Sequence, residues 1–227
     1  LMAVYLLIPA IIVSYVFYVY SVYRCRLRTR VMAKALTSLI FVAIAVVSHY
    51  VSGSNKRYFV FMLVALSLCT FGDVFLEISK TDYYGINYFI YSLGFFFAAH
   101  VAFCALFCVL TGVYPVDFFA TAAFLALLAL IGRKLKLDFL NMDSYVLGYA
   151  VVISFMFVKS LSLLYGMRIY VAYNVLVALG AGLFFIASIS YAILLFGKKR
   201  PRPLTTATTG IYYTGQVLLA LSVLFTK

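Results

Sequence analysis

The sequence predicts an all-α fold, a polytopic integral membrane bundle of eight transmembrane helices, on three observations. First, 67% of the 227 residues are hydrophobic and only 11% are charged, with a mean hydropathy of +1.11. A soluble domain is about half apolar and a quarter charged, so this chain lacks the charge to cover its apolar surface, and its solvent is lipid. Second, the apolar residues fall in runs close to the roughly 20 residues that cross a bilayer. Third, the basic residues gather in alternate connections. Together these exclude a soluble enzyme, a disordered region and a disulfide-stapled secreted domain. The net charge of +12 reads as positive-inside bias in a membrane chain, with no nucleic-acid partner expected.

The eight runs cover residues 2–22, 31–51, 58–79, 88–112, 115–132, 145–166, 170–196 and 204–225. Arg24, Arg26, Arg28 and Arg30 close the first, and the polar stretch from Ser52 to Arg57 closes the second. Tyr114-Pro115 divides the fourth from the fifth, and Pro201 and Pro203 precede the eighth. The whole chain, 1–227, is expected to form a single transmembrane domain. Because it opens on Leu1, its true start is expected upstream. The first run lacks a small-residue cleavage site and reads as a span. Connections one, three, five and seven hold 12 Lys and Arg residues, and connections two, four and six hold 3. That imbalance puts the odd connections in the cytoplasm and both termini on the far side. The expected location is an endomembrane such as the endoplasmic reticulum in a eukaryote, or the inner membrane in a bacterium.

Cys69, Cys104 and Cys108 lie within apolar runs and Cys25 beside the basic cluster. No CxxC pair or Cys/His ligand spacing accompanies them, so neither a disulfide framework nor a metal site is expected, and no cofactor.

Ionisable groups inside a span are costly in lipid and are functional candidates by default. Asp73 and Glu77 stand four residues apart, on one face of the third helix. Glu77, near the helix end, reads first as a wetted interfacial charge. Lys34 opens the second span, either snorkelling to lipid phosphates or turned inward. His100 lies midway along the fourth helix, on a stripe with Ser92, Phe96 and Cys104. Tyr149, Met156 and Lys159 mark the sixth. Ser188 and Tyr191 share the seventh with Gly180-Ala181-Gly182, a small-residue run that permits close helix packing. Thr205, Thr209, Tyr212 and Gln216 make a polar stripe on the eighth. Counted from the cytoplasmic ends, Lys34, Asp73, His100, Tyr149, Ser188, Tyr212 and Gln216 lie within about 5–18 Å of one face, the pattern of a cavity in the cytoplasmic half. Shifting the first half by 115 or 116 positions pairs Lys34 with Tyr149, Asp73 with Ser188 and His100 with Gln216. Such an echo suggests a four-plus-four parallel pseudo-repeat.

These residues resemble the YhhN-type lysoplasmalogenase family. Phe71-Gly72-Asp73-Val74-Phe75-Leu76 looks like its Gly-Asp motif, and Gly94 through His100 like the following Gly-x-x-Phe-x-x-His helix. Lys34-Ala35-Leu36 is similar to an early Lys-Pro-Leu element without its proline. Tyr149, Ile153 and Met156 resemble Tyr-x-x-x-Ile-x-x-Met, Gly180-Ala181 with Phe184 a Gly-Ala-x-x-Phe motif, and Tyr212-Tyr213-Thr214-Gly215-Gln216 a terminal Tyr-Tyr-x-x-Gln. Where the family motif continues to Ser-Asp, this chain reads Ala187-Ser188.

The resemblance implies hydrolysis of the vinyl ether bond of a lysoplasmalogen to a fatty aldehyde and a glycerophospho-alcohol, by carboxyl-based acid/base catalysis without a metal. It makes Asp73, His100 and Ser188 the catalytic candidates. Lys34, Glu77, Tyr149, Tyr212, Tyr213 and Gln216 are the candidates for holding substrate. The implied partners are a lysophospholipid and membrane lipids. With a serine at position 188, two alternatives stand beside the hydrolase: an inactive lysolipid-binding relative acting as regulator or carrier, and a small-molecule transporter.

Overall fold

The computed structural model describes residues 2–80, 85–139, 141–165, 171–197 and 201–226. Among these residues there are eight α-helices, each long and apolar enough to cross a membrane, and no strand. They are α1 (Met2–Arg24), α2 (Leu27–Ser52), α3 (Lys56–Ile78), α4 (Gly85–Thr111), α5 (Pro115–Lys134), α6 (Asp143–Tyr165), α7 (Val171–Phe196) and α8 (Arg202–Ser222), with a short 3-10 turn at Val223–Phe225. All eight expected spans are present. The largest shift at a start is in α2, which begins at Leu27, so Arg28 and Arg30 are helical. Arginine is a good helix former, and only Cys25 and Arg26 separate α1 from α2. Of the residues counted for orientation, Arg168, Lys198, Lys199 and Arg200 lie outside the described residues.

The chain divides into two compact units. The first holds residues 1–103 and 220–227. Here α2 packs against both α1 and α3. Gly53 ends α2 in a left-handed conformation (φ 62°) that returns its N–H to the His49 carbonyl, and Asn55 starts α3 by accepting from the backbone of Arg57 and Tyr58. The end of the chain is tied to this turn: Asn55 N donates to the Thr226 carbonyl at 2.7 Å, and the Tyr58 and Ser222 hydroxyls meet at 2.6 Å. Gly72 lets α4 approach α3, since a Cβ there would stand 3.0 Å from the Phe96 ring. The Ser92 hydroxyl reinforces that approach by donating to the Gly72 carbonyl at 2.8 Å. Asp73 is the next residue along.

The second unit holds residues 104–219. Phe124 of α5 meets Phe157 and Phe185 edge-on, and these two, from α6 and α7, stack at 4.9 Å. The expected close packing of α7 is present: a Cβ on Gly180 would stand 2.9 Å from the Gly215 carbonyl oxygen, and one on Gly215 2.8 Å from the Gly180 oxygen. Backbone therefore touches backbone between α7 and α8, as small residues allow.

Candidate functional site

Lys34, Asp73 and Glu77 come together in the first unit, where the start of α2 meets the end of α3. All three are buried, at 0%, 1% and 0% exposure. Lys34 Nζ stands 3.5 Å from Asp73 Oδ1 and 3.8 Å from Glu77 Oε2, so one ammonium links two carboxylates a helical turn apart. The snorkelling alternative for Lys34 is thereby excluded, because its side chain has no exposed surface. Asp73 also accepts the Ser38 hydroxyl on Oδ2 at 2.7 Å. Ser38 lies four residues beyond Lys34 on the same face of α2, so α2 supplies both donors.

Glu77 corrects its sequence reading. It is not a wetted interfacial charge but a buried carboxylate paired with Arg30, Lys34, Lys80 and Tyr18. Arg30 donates from Nε at 3.0 Å and from Nη2 at 2.5 Å to Oε1. Lys80 Nζ at 2.6 Å and the Tyr18 hydroxyl at 3.0 Å both reach Oε2. Nearness to the helix end suggested water, yet α1 covers that end with Tyr18, and α2 covers it with Arg30 and Lys34. Lys80, just past α3, is held below the ordinary lysine range at about 8, by burial first and then by the Lys34 charge, with Glu77 opposing.

His100 is also wholly buried in the first unit. Its Nδ1 meets the Phe96 carbonyl at 2.5 Å. A carbonyl only accepts, so Nδ1 carries the proton, and in the neutral ring Nε2 is the acceptor nitrogen.

The remaining candidates lie in the second unit. Tyr149 and Ser188 hydroxyls meet at 3.1 Å across α6 and α7. Tyr212, 4% exposed, packs edge-on against Phe184 and beside Tyr213. The Tyr191 and Thr209 hydroxyls meet at 2.5 Å. Gln216 is wholly buried, and its amide has no hydrogen-bond partner among the described residues.

A second buried ion pair escaped the sequence reading. Lys159 Nζ donates to Asp117 Oδ2 at 2.9 Å and to the Gly112 carbonyl at 2.7 Å. Asp117 further accepts from Tyr114 N at 2.9 Å and from the Ser162 hydroxyl at 3.1 Å. The signal was available: an aspartate two residues after Pro115 sits in the first helical turn, where it accepts from the N-cap backbone. Its cation, Lys159, stands out in the sixth span, but the sequence does not show that Asp117 is its partner. Lys80 carries no site signal in the sequence beyond its weight in the orientation count, whereas Arg30 belongs to the basic mouth that suits a lipid phosphate.

Fold and site together define a multi-pass membrane protein with a buried carboxylate–lysine cluster at one end of its first unit. The chain belongs to the YhhN family, whose model matches residues 29–223. No curated protein and no solved structure matches it significantly.

Proposed function

We propose that this protein is a membrane-embedded hydrolase that cleaves the vinyl ether bond of lysoplasmalogens. The observation that carries the reading is the Lys34–Asp73 pair: a carboxylate and an amine, both buried in a span, with Ser38 orienting the carboxylate. Membership of the YhhN family supports it, through the lysoplasmalogenase activity that the sequence resemblance implies.

The pair shares one exchangeable proton. Asp73 delivers it to the vinyl carbon distal to the ether oxygen, which leaves an oxocarbenium ion between the other vinyl carbon and that oxygen. Water adds to the cation and gives its proton back to the pair, so the site returns to its starting charge. The hemiacetal then moves its hydroxyl proton to the glycerol oxygen as the C–O bond breaks, releasing the aldehyde. One carboxylate thus serves as acid and then as base, which accommodates the serine at position 188. His100, with Nε2 as acceptor, is the alternative base for the water.

The second reading is a lysolipid-binding relative without catalysis. The specific observation favouring it is Ser188, whose hydroxyl is engaged with Tyr149 and is not a carboxylate. Purified protein incubated with a lysoplasmalogen and with its saturated ether analogue separates the two. The hydrolase releases aldehyde from the first alone. Binding of both with no aldehyde from either establishes the second reading.

A further inference from the structure

The rim of the first unit is built unlike a structural ion pair. One buried carboxylate, Glu77, faces three cations, Arg30, Lys34 and Lys80. Two of these reach the surface: the Arg30 and Lys80 side chains are 21% and 28% exposed, although the Lys80 ammonium is desolvated where it meets Glu77. They stand at the end of α2 and α3 where Arg24, Arg26 and Arg28 are also exposed. Arg30 uses Nε and Nη2 on a single oxygen of Glu77, and Lys80 meets the other oxygen. A guanidinium edge and an ammonium on the two oxygens of one carboxylate present the same donors that bind a phosphate.

We propose that Arg30 and Lys80 form a clamp for the phosphate of a single-chain phospholipid, and that Glu77 fills this clamp with its own carboxylate until a lipid arrives. The choice of a lipid phosphate over a free one rests on the hydrolase reading above; the clamp itself does not. When the phosphate takes Arg30 and Lys80, Glu77 keeps Tyr18 and Lys34, so the exchange never strands a buried charge, which is the costly outcome. The register also fits. Arg30 precedes Lys34, and Glu77 follows Asp73, by one turn on their helices. Six bonds through the glycerol separate the phosphorus from the first vinyl carbon, enough to span the rise of one helical turn, about 5.4 Å, between the two layers. A phosphate held at the rim therefore sets the ether beside Asp73.

The test measures binding to the detergent-purified full chain of three probes: saturated 1-alkyl lysophosphatidylcholine, which the protein cannot cleave, phosphate-free 1-alkylglycerol, and inorganic phosphate. Arg30→Gln and Lys80→Gln should each weaken the phospholipid about 10-fold, the low end for a charge-assisted bond, and leave alkylglycerol affinity unchanged. Glu77→Gln, by emptying the clamp, should tighten the phospholipid alone. Inorganic phosphate should compete only at far higher concentration, because it lacks the chain. If Arg30→Gln does not fold, Lys80→Gln, outside the helix, carries the test with Arg30→Lys, which keeps the charge and loses the fork. Equal losses for both lipids, no loss for either, or inorganic phosphate binding as tightly as the phospholipid would each overturn the clamp. Selective binding without aldehyde release refutes the hydrolase reading and leaves the clamp standing; aldehyde release with indifferent binding does the reverse.

Discussion

Among the described residues two buried ionic clusters stand out, and they are built on opposite plans. In the second unit, Asp117 and Lys159 balance one to one, and their further contacts tie the pair to the α4–α5 turn through the Gly112 carbonyl and Tyr114 amide and to α6 through the Ser162 hydroxyl. In the first unit, the charges do not balance in this local way. Three cations converge on Glu77, and Lys34 is divided between two carboxylates at 3.5 and 3.8 Å, longer than the 2.9 Å of the Lys159 pair. A staple is satisfied by its own neighbours. A site holds charge in excess of local need. On the hydrolase reading proposed above, the contrast fits a structural role for the α5–α6 pair and a chemical one for the α2–α3 cluster.

Breaking the staple should give the largest effect on stability. Asp117→Ala or Lys159→Ala leaves a buried charge alone and should cost about 3–5 kcal/mol, read as a fall in unfolding temperature in detergent. Replacing both by apolar residues of similar size should recover most of that loss and leave aldehyde release per folded molecule intact. An equivalent apolar double replacement of Lys34 and Asp73 that preserved activity would erase the distinction between the clusters.

Lys34→Arg sharpens the comparison within the site. A guanidinium keeps the charge but does not release a proton, so aldehyde release should fall about 100-fold, the lower bound for general acid catalysis, while the fold survives. Full activity in this variant would reduce Lys34 to a counter-ion.

The smallest effect concerns pH. Lys80 loses its proton as pH rises through about 8, with Arg30, Lys34, Glu77 and Tyr18 as the groups facing it. Affinity for a choline lysophospholipid, whose phosphate does not titrate there, should fall a few-fold above that pH. Lys80→Arg stays charged and should flatten the profile. The alkylglycerol profile should be flat in both.

The spans were legible because a bilayer imposes a length and a polarity that hydropathy records directly. Asp73 and Lys34 were legible for the same reason, since a charge in an apolar run stands out. Glu77 was misjudged because its distance from the helix end says nothing about what covers that end, and Tyr18 comes from 59 residues away. Arg30 and Lys80 carried two roles at once: basic residues near a span end mark orientation, and the same residues close a cluster. Asp117 was hidden by its ordinary place in a first helical turn, where a carboxylate needs no further reason. In each case the missing information was a tertiary partner.

The most direct test of the central claim compares Asp73→Asn with Asp117→Asn, each assayed for aldehyde release from a lysoplasmalogen per mole of folded protein. Both substitutions keep the side-chain shape and remove a buried carboxylate. Asp73→Asn should lower the rate by about 10²–10⁴-fold with unfolding temperature little changed, while Asp117→Asn should lower the unfolding temperature and keep the rate. Undiminished aldehyde release from well-folded Asp73→Asn would contradict the assignment and move the chemistry to His100.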